Sequence, residues 1–135
     1  MIDESDRTAR GRAAYASQFR LSESEAIEEL ERIVGERMAT EAINAAGGVW
    51  AEDVLSLRDR SLVVVAALVT QGAVEERLRG HARWALDHGL TPDELEAMAT
   101  LLAVYVGYPR ASVAIEIIRD VGAAEAAGES EGIAS

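Results

Sequence analysis

Apolar residues recur along this chain at intervals of three and four, broken at only a few positions, and that spacing predicts a succession of α-helices. Across residues 24–46, Ile27, Leu30, Val34, Met38, Ala42 and Ala45 form one stripe about a single face wide, which predicts one long amphipathic helix. The segment before it, 6–19, has only the weak face of Ala9, Ala13 and Ala16, and is expected to pack against a partner subunit rather than a core of its own. Residues 62–69 are the longest uninterrupted apolar run. A run this short suits a buried strand as well as a helix, but Val63, Val64 and Val65 have no second strand to pair with. A helix over 56–70 follows, with Ser56 as N-cap, Asp59 in the capping-box position, and apolar groups on all sides that place it centrally.

The second half is more sharply punctuated. Residues 74–88 put Val74, Leu78, His81, Ala85 and His88 on one stripe, and Gly89 is placed as a C-terminal cap. Thr91, Pro92 and Glu94 then spell out a helix start, with an N-cap, a proline at the first helical position and a closing glutamate. That helix continues through Leu95, Met98, Leu101, Leu102 and Tyr105 to Gly107, and the next opens at Pro109 and runs through Val113, Ile117 and Ile118. Gly47-Gly48 is the clearest expected break in the first half. After Val121 the chain turns to Ala, Gly, Glu and Ser, too poor in bulky apolar groups to repay ordering. The expectation is an all-α fold of about six helices: one domain over residues 1–122 and a flexible acidic tail over 123–135.

Composition narrows the chemistry. There is no cysteine, so disulfides, peroxidatic thiols and thiolate-bound zinc are excluded. All 13 basic residues are arginine, which removes imine formation through lysine and a lysine-bearing phosphate loop. A net charge of −11 with no basic patch argues against nucleic acid. No apolar run could span a bilayer, and the first residues lack the basic-then-apolar order of a signal segment. A cytoplasmic protein that does not engage membranes is expected.

His81 is the leading candidate for chemistry. It points inward and titrates near neutrality, so it suits a general acid or base, although a core histidine satisfied by a backbone carbonyl fits the same position. His88 sits in the last helical turn, where a structural role comes first. Seven residues separate the two, too far for one metal ion, so no metal is expected. Arginine is the group for clamping a carboxylate in a planar fork, and Arg60 and Arg77 are the better-placed candidates, with Arg79 and Arg83 on a solvated face. Tyr105 and Tyr108 flank Gly107 and Pro109, where a phenol could reach a pocket or simply fill a core.

Taken as a set, four groups of residues resemble the carboxymuconolactone decarboxylase family. They are Gly47-Gly48-Val49-Trp50, then Leu57 with Arg60-Ser61-Leu62, then His81 through Gly89-Leu90-Thr91 to Glu94, and Tyr105, Gly107 and Pro109. The likeness is to the 4-carboxymuconolactone decarboxylase type, spans roughly residues 27–121, and makes the chain a distant relative of alkylhydroperoxidase D-like proteins. Many of those relatives carry a Cys-x-x-Cys pair ahead of the histidine, where Val74 and Arg77 stand here.

The resemblance implies an alkylhydroperoxidase D-like helical domain assembling as a ring-like homo-oligomer, a trimer or hexamer, with pockets near subunit contacts. It also implies a cofactor-free lyase that removes CO2 from a carboxylated ring substrate in aromatic compound catabolism. His81 carries over as the catalytic acid/base, and that reaction would use Arg60 or Arg77 on the second carboxylate and Trp84 or Trp50 as a dry wall, with Tyr105 and Tyr108 as further substrate-binding candidates. The chain departs from the pattern at Ser22–Glu25, where a histidine is usual, at Arg77, where an acid is usual, and near Ser61, where the peroxidase-like relatives place a glutamate. Those departures keep other readings open: decarboxylation, proton transfer or cyclisation on another oxygenated ring, or a non-catalytic ligand-binding oligomer.

Overall fold

The computed structural model describes residues 3–134 and is helical throughout, with seven helices and no strand among the described residues. They are α1 (Glu4–Phe19), α2 (Glu23–Val34), α3 (Glu36–Val49), α4 (Leu57–Gln71), α5 (Glu75–Asp87), α6 (Pro92–Val106) and α7 (Tyr108–Ala134). Contacts group the chain into two compact units, Met1–Leu57 and Arg58–Ser135, where the sequence suggests one domain over 1–122.

The first unit holds α1 to α3. The single helix expected over 24–46 is two helices, because Gly35 takes φ +83, a conformation that L side chains rarely adopt. The break resets the helical phase: Ala39, Ile43 and Gly47 are buried on α3, whereas Met38, expected on the stripe, is exposed. The Gly47-Gly48 pair does not interrupt α3. Its role is close approach, since a Cβ on Gly47 would lie 1.7 Å from the Arg7 carbonyl oxygen and one on Gly11 would lie 1.8 Å from that of Ile43. Thus α1 packs inside its own unit against α3, and Tyr15 and Phe19 join Ile27, Leu30, Val34, Ala39 and Ile43 in a small core.

The second unit holds α4 to α7 around a core of Val65, Val69, Leu78, Leu95, Ile117 and Ile118 with small alanines between them. On α4 only the stripe of Ser61, Val65 and Val69 is buried, and Val63 is 59% exposed, so this helix is not apolar-packed on every side as its composition suggests.

The α5–α6 junction follows its sequence signals closely. Gly89, at φ +98, and Leu90 donate backbone N–H groups to the Leu86 and Ala85 carbonyls, and Leu90 is buried, completing a Schellman turn. Thr91 and Glu94 exchange the two reciprocal bonds of a capping box, each 3.1 Å. Gly107 ends α6, and α7 folds back along it so that Gly122 rests on Pro92. Helical backbone continues over residues 122–134, the stretch expected as a tail, where alanine keeps helix propensity high although Ala123, Ala124, Ala126 and Ala127 bury little. Among the described residues no helix is long and apolar enough to cross a membrane.

Candidate functional site

His81 and Trp84 on α5 and His88 at its C-cap lie on successive turns, and their rings form a short ladder. The His81 and Trp84 ring centroids are 6.1 Å apart and those of Trp84 and His88 are 4.7 Å apart. Trp84 is buried, so it is an apolar wall between two imidazoles. The far end of the ladder is anchored from α4, where the buried Ser61 hydroxyl shares a 2.7 Å hydrogen bond with His88 Nδ1. The tautomer of His88 decides which of the two donates.

The two imidazoles differ in their electrostatics. Burial pushes His81 down to about 4, and the positive charge of Arg77 acts in the same direction, so the ring is neutral at neutral pH. His88 is lowered by its partial burial, opposed by the Asp87 carboxylate and assisted by Arg60. Arg60, half-buried on α4, is therefore within electrostatic reach of His88.

Among the other sequence-derived candidates, Arg77 is exposed one turn before His81, so it acts on that ring as a nearby charge and not as an inward clamp. Tyr105 and Tyr108 are 77% and 76% exposed at the α6–α7 junction. Trp50 stands at the C-cap of α3 in the first unit. The structure thus brings His81, Trp84, His88, Ser61 and Arg60 into one neighbourhood and leaves Arg77, Tyr105 and Tyr108 facing outward. Sequence reading missed Ser61 and underrated His88, because the bond joining them crosses from one helix to another and no local spacing encodes it.

A cleft of about 240 Å³ opens in the same unit, walled by Leu68, Val69, Val74, Leu78, Val113 and Ala114, with Glu75 and Arg110 also lining it. His81 does not line it, but Leu78, three residues earlier on α5, does.

The model of the carboxymuconolactone decarboxylase family matches residues 37–120, a span from α3 into α7 that contains every residue of this neighbourhood. The chain belongs to that family. It is 36% identical over 84 residues to the 4-carboxymuconolactone decarboxylase of Acinetobacter baylyi (strain ATCC 33305 / BD413 / ADP1), a match covering 59% of this chain and 62% of that protein. The match thus reaches less than two thirds of the relative's length. Gly89, Thr91 and His81 all lie inside the matched span.

Proposed function

We propose that this chain is a cofactor-independent carboxy-lyase acting on an unsaturated lactone acid, 4-carboxymuconolactone or a close analogue, in the cytoplasm and in the breakdown of aromatic compounds. The observation that carries the reading is a neutral, largely buried His81 beside Trp84, inside the span matched by the family. Support also comes from the relative whose name records that activity.

The chemistry asks little beyond positioning and charge stabilisation. When the carbon–carbon bond to the leaving carboxylate breaks, its electron pair passes into the conjugated lactone, CO2 departs, and one proton must be returned to carbon. A carboxylate is best held for that step against an apolar surface such as Trp84, where water does not stabilise its charge. A neutral imidazole still carries one N–H, so His81 can hydrogen-bond to the oxygen on which charge develops. The arriving anion raises the proton affinity of His81, opposing the effect of burial, which lets the ring deliver a proton and recover one from solvent. Arg60 is the clamp for the carboxylate that stays, and Arg77 adds a field that draws an anion toward α5.

Assembly as a homo-oligomer, a trimer or hexamer, belongs to the same reading, and would place Tyr105 and Tyr108 at subunit contacts next to substrate. A second reading is favoured by Arg77 standing where decarboxylase-type relatives carry an acid: the same pocket working on another oxygenated ring acid.

The test is incubation of purified protein with 4-carboxymuconolactone generated in place, following loss of its absorbance and release of CO2, beside His81→Ala. Turnover that drops by roughly 10²–10⁴ in the variant is the expected result, the range for loss of a general acid/base. Turnover unaffected by the substitution would remove His81 from the mechanism. No turnover by folded protein would discard the lactone and turn the search to other ring acids.

A further inference from the structure

The cleft between α4, α5 and α7 has an arginine at its edge. Arg32, Arg58, Arg79 and Arg119 pair with the carboxylates of Glu29, Glu94, Asp120 and Glu96. Arg110, on the first turn of α7, instead donates from Nη1 to the Thr70 carbonyl oxygen at 2.5 Å and has no carboxylate partner among the described residues. That bond satisfies one of the carbonyls that the C-terminal turn of α4 leaves open. It engages one of the five N–H groups that a guanidinium presents.

The side chain lies across Gly72, whose φ of +70 favours glycine and where an added Cβ would sit 3.2 Å from Arg110 Nε. Apart from Arg110 and Glu75 the lining is apolar, formed mainly by Leu68, Val69, Val74, Leu78, Val113 and Ala114. An exposed guanidinium at the edge of an apolar hollow matches a ligand that is apolar at one end and anionic at the other.

Size and charge narrow the class further. The volume of about 240 Å³ falls below the roughly 300–1,000 Å³ of sites for drug-sized ligands and suits a single ring or a short branched chain. Glu75 shares the lining without forming an ion pair with Arg110, and its negative charge disfavours each carboxylate a ligand carries, so a ligand with one is preferred to a ligand with two. We propose that the cleft between α4, α5 and α7 binds small monocarboxylates, with the apolar body against Leu78 and Val113 and the carboxylate on the guanidinium of Arg110. This site goes beyond the decarboxylase reading, and binding alone tests it.

The probe is benzoate, with benzamide as its uncharged counterpart, titrated into the full chain while methyl resonances of Val74, Leu78 and Val113 are followed by NMR. Benzoate is expected to shift these methyls saturably. Benzamide should bind at least roughly tenfold more weakly, the low end of what a charge-assisted hydrogen bond contributes. Arg110→Met should weaken benzoate to the level of benzamide while leaving benzamide unchanged, and Val113→Trp, which fills the hollow from a partly exposed position, should abolish both. Equal affinity for the two probes, shifts confined to another part of the chain, or no saturable shift up to roughly 10 mM would each overturn the proposal. The comparison of the two probes on the unaltered protein decides the matter even if Arg110→Met fails to fold.

Discussion

His81 shows how a single side chain links the fold to pH. Its folded proton affinity is lowered to about 4, against an ordinary value of about 6.5. Between those two pH values the unfolded chain binds a proton that the folded chain does not, so stability falls as pH drops through that window and is unaffected by this group above it. The expected loss on going from pH 7 to pH 4.5 is about 2 kcal/mol in excess of what His81→Gln shows, because glutamine keeps a polar side chain of similar reach without titrating. Urea unfolding of both proteins at the two pH values measures it, and equal losses would mean that His81 is not desolvated as described. The inward position of His81 was legible from its place in the stripe with Leu78 and Ala85. The depth of its desolvation was not, since that depends on which atoms of other helices close over the ring.

At the scale of elements, the helix boundaries that rest on local chemistry were readable in advance, and those that rest on packing were not. Thr91, Pro92 and Glu94 act on backbone groups within one turn, and α6 begins at Pro92 as expected. Gly35 and the Gly47-Gly48 pair look equivalent to a propensity argument, yet Gly35 breaks the chain while Gly47 and Gly48 stay helical. The difference is made by α1, whose backbone at Arg7 occupies the space that a side chain on Gly47 would need. Gly47→Ala is therefore expected to destabilise the protein by about 3 kcal/mol, the upper range for overpacking a contact that cannot relax. Gly128→Ala, on a helix with open space around it, is expected to stabilise by roughly 0.5 kcal/mol through helix propensity alone. Chemical denaturation of the two variants beside the parent checks both signs, and a harmless Gly47→Ala would contradict the α1–α3 contact.

For the molecule as a whole, the outward apolar groups of α6 and the start of α7 stand out. Leu101, Val104, Tyr105 and Tyr108 are each more than half exposed, with Val104 at 81%. A soluble domain seldom leaves such a cluster uncovered, and the proposed homo-oligomer would bury it. Sedimentation in neutral buffer is expected to report a trimer or hexamer, and Val104→Glu is expected to shift the population toward monomer without loss of helix content. A monodisperse monomer from the parent chain would reject the assembly. The acidic net charge, −11, keeps separate particles soluble but does not oppose contact through an apolar face.

The sequence by itself determined the all-helical class, the capped junction from Gly89 to Glu94, the exclusion of thiol and lysine chemistry, and the family to which the chain belongs. Each of those depends on residue identity and on neighbours within one or two turns. Tertiary structure decided the rest. The partition into two compact units, the burial of Trp84 between two imidazoles, the Ser61–His88 bond and the Arg110–Thr70 bond all join residues from different turns or different helices. Local periodicity records which face of a helix is apolar, but not which atoms of another helix meet it, and the chemistry of this neighbourhood lies in those meetings.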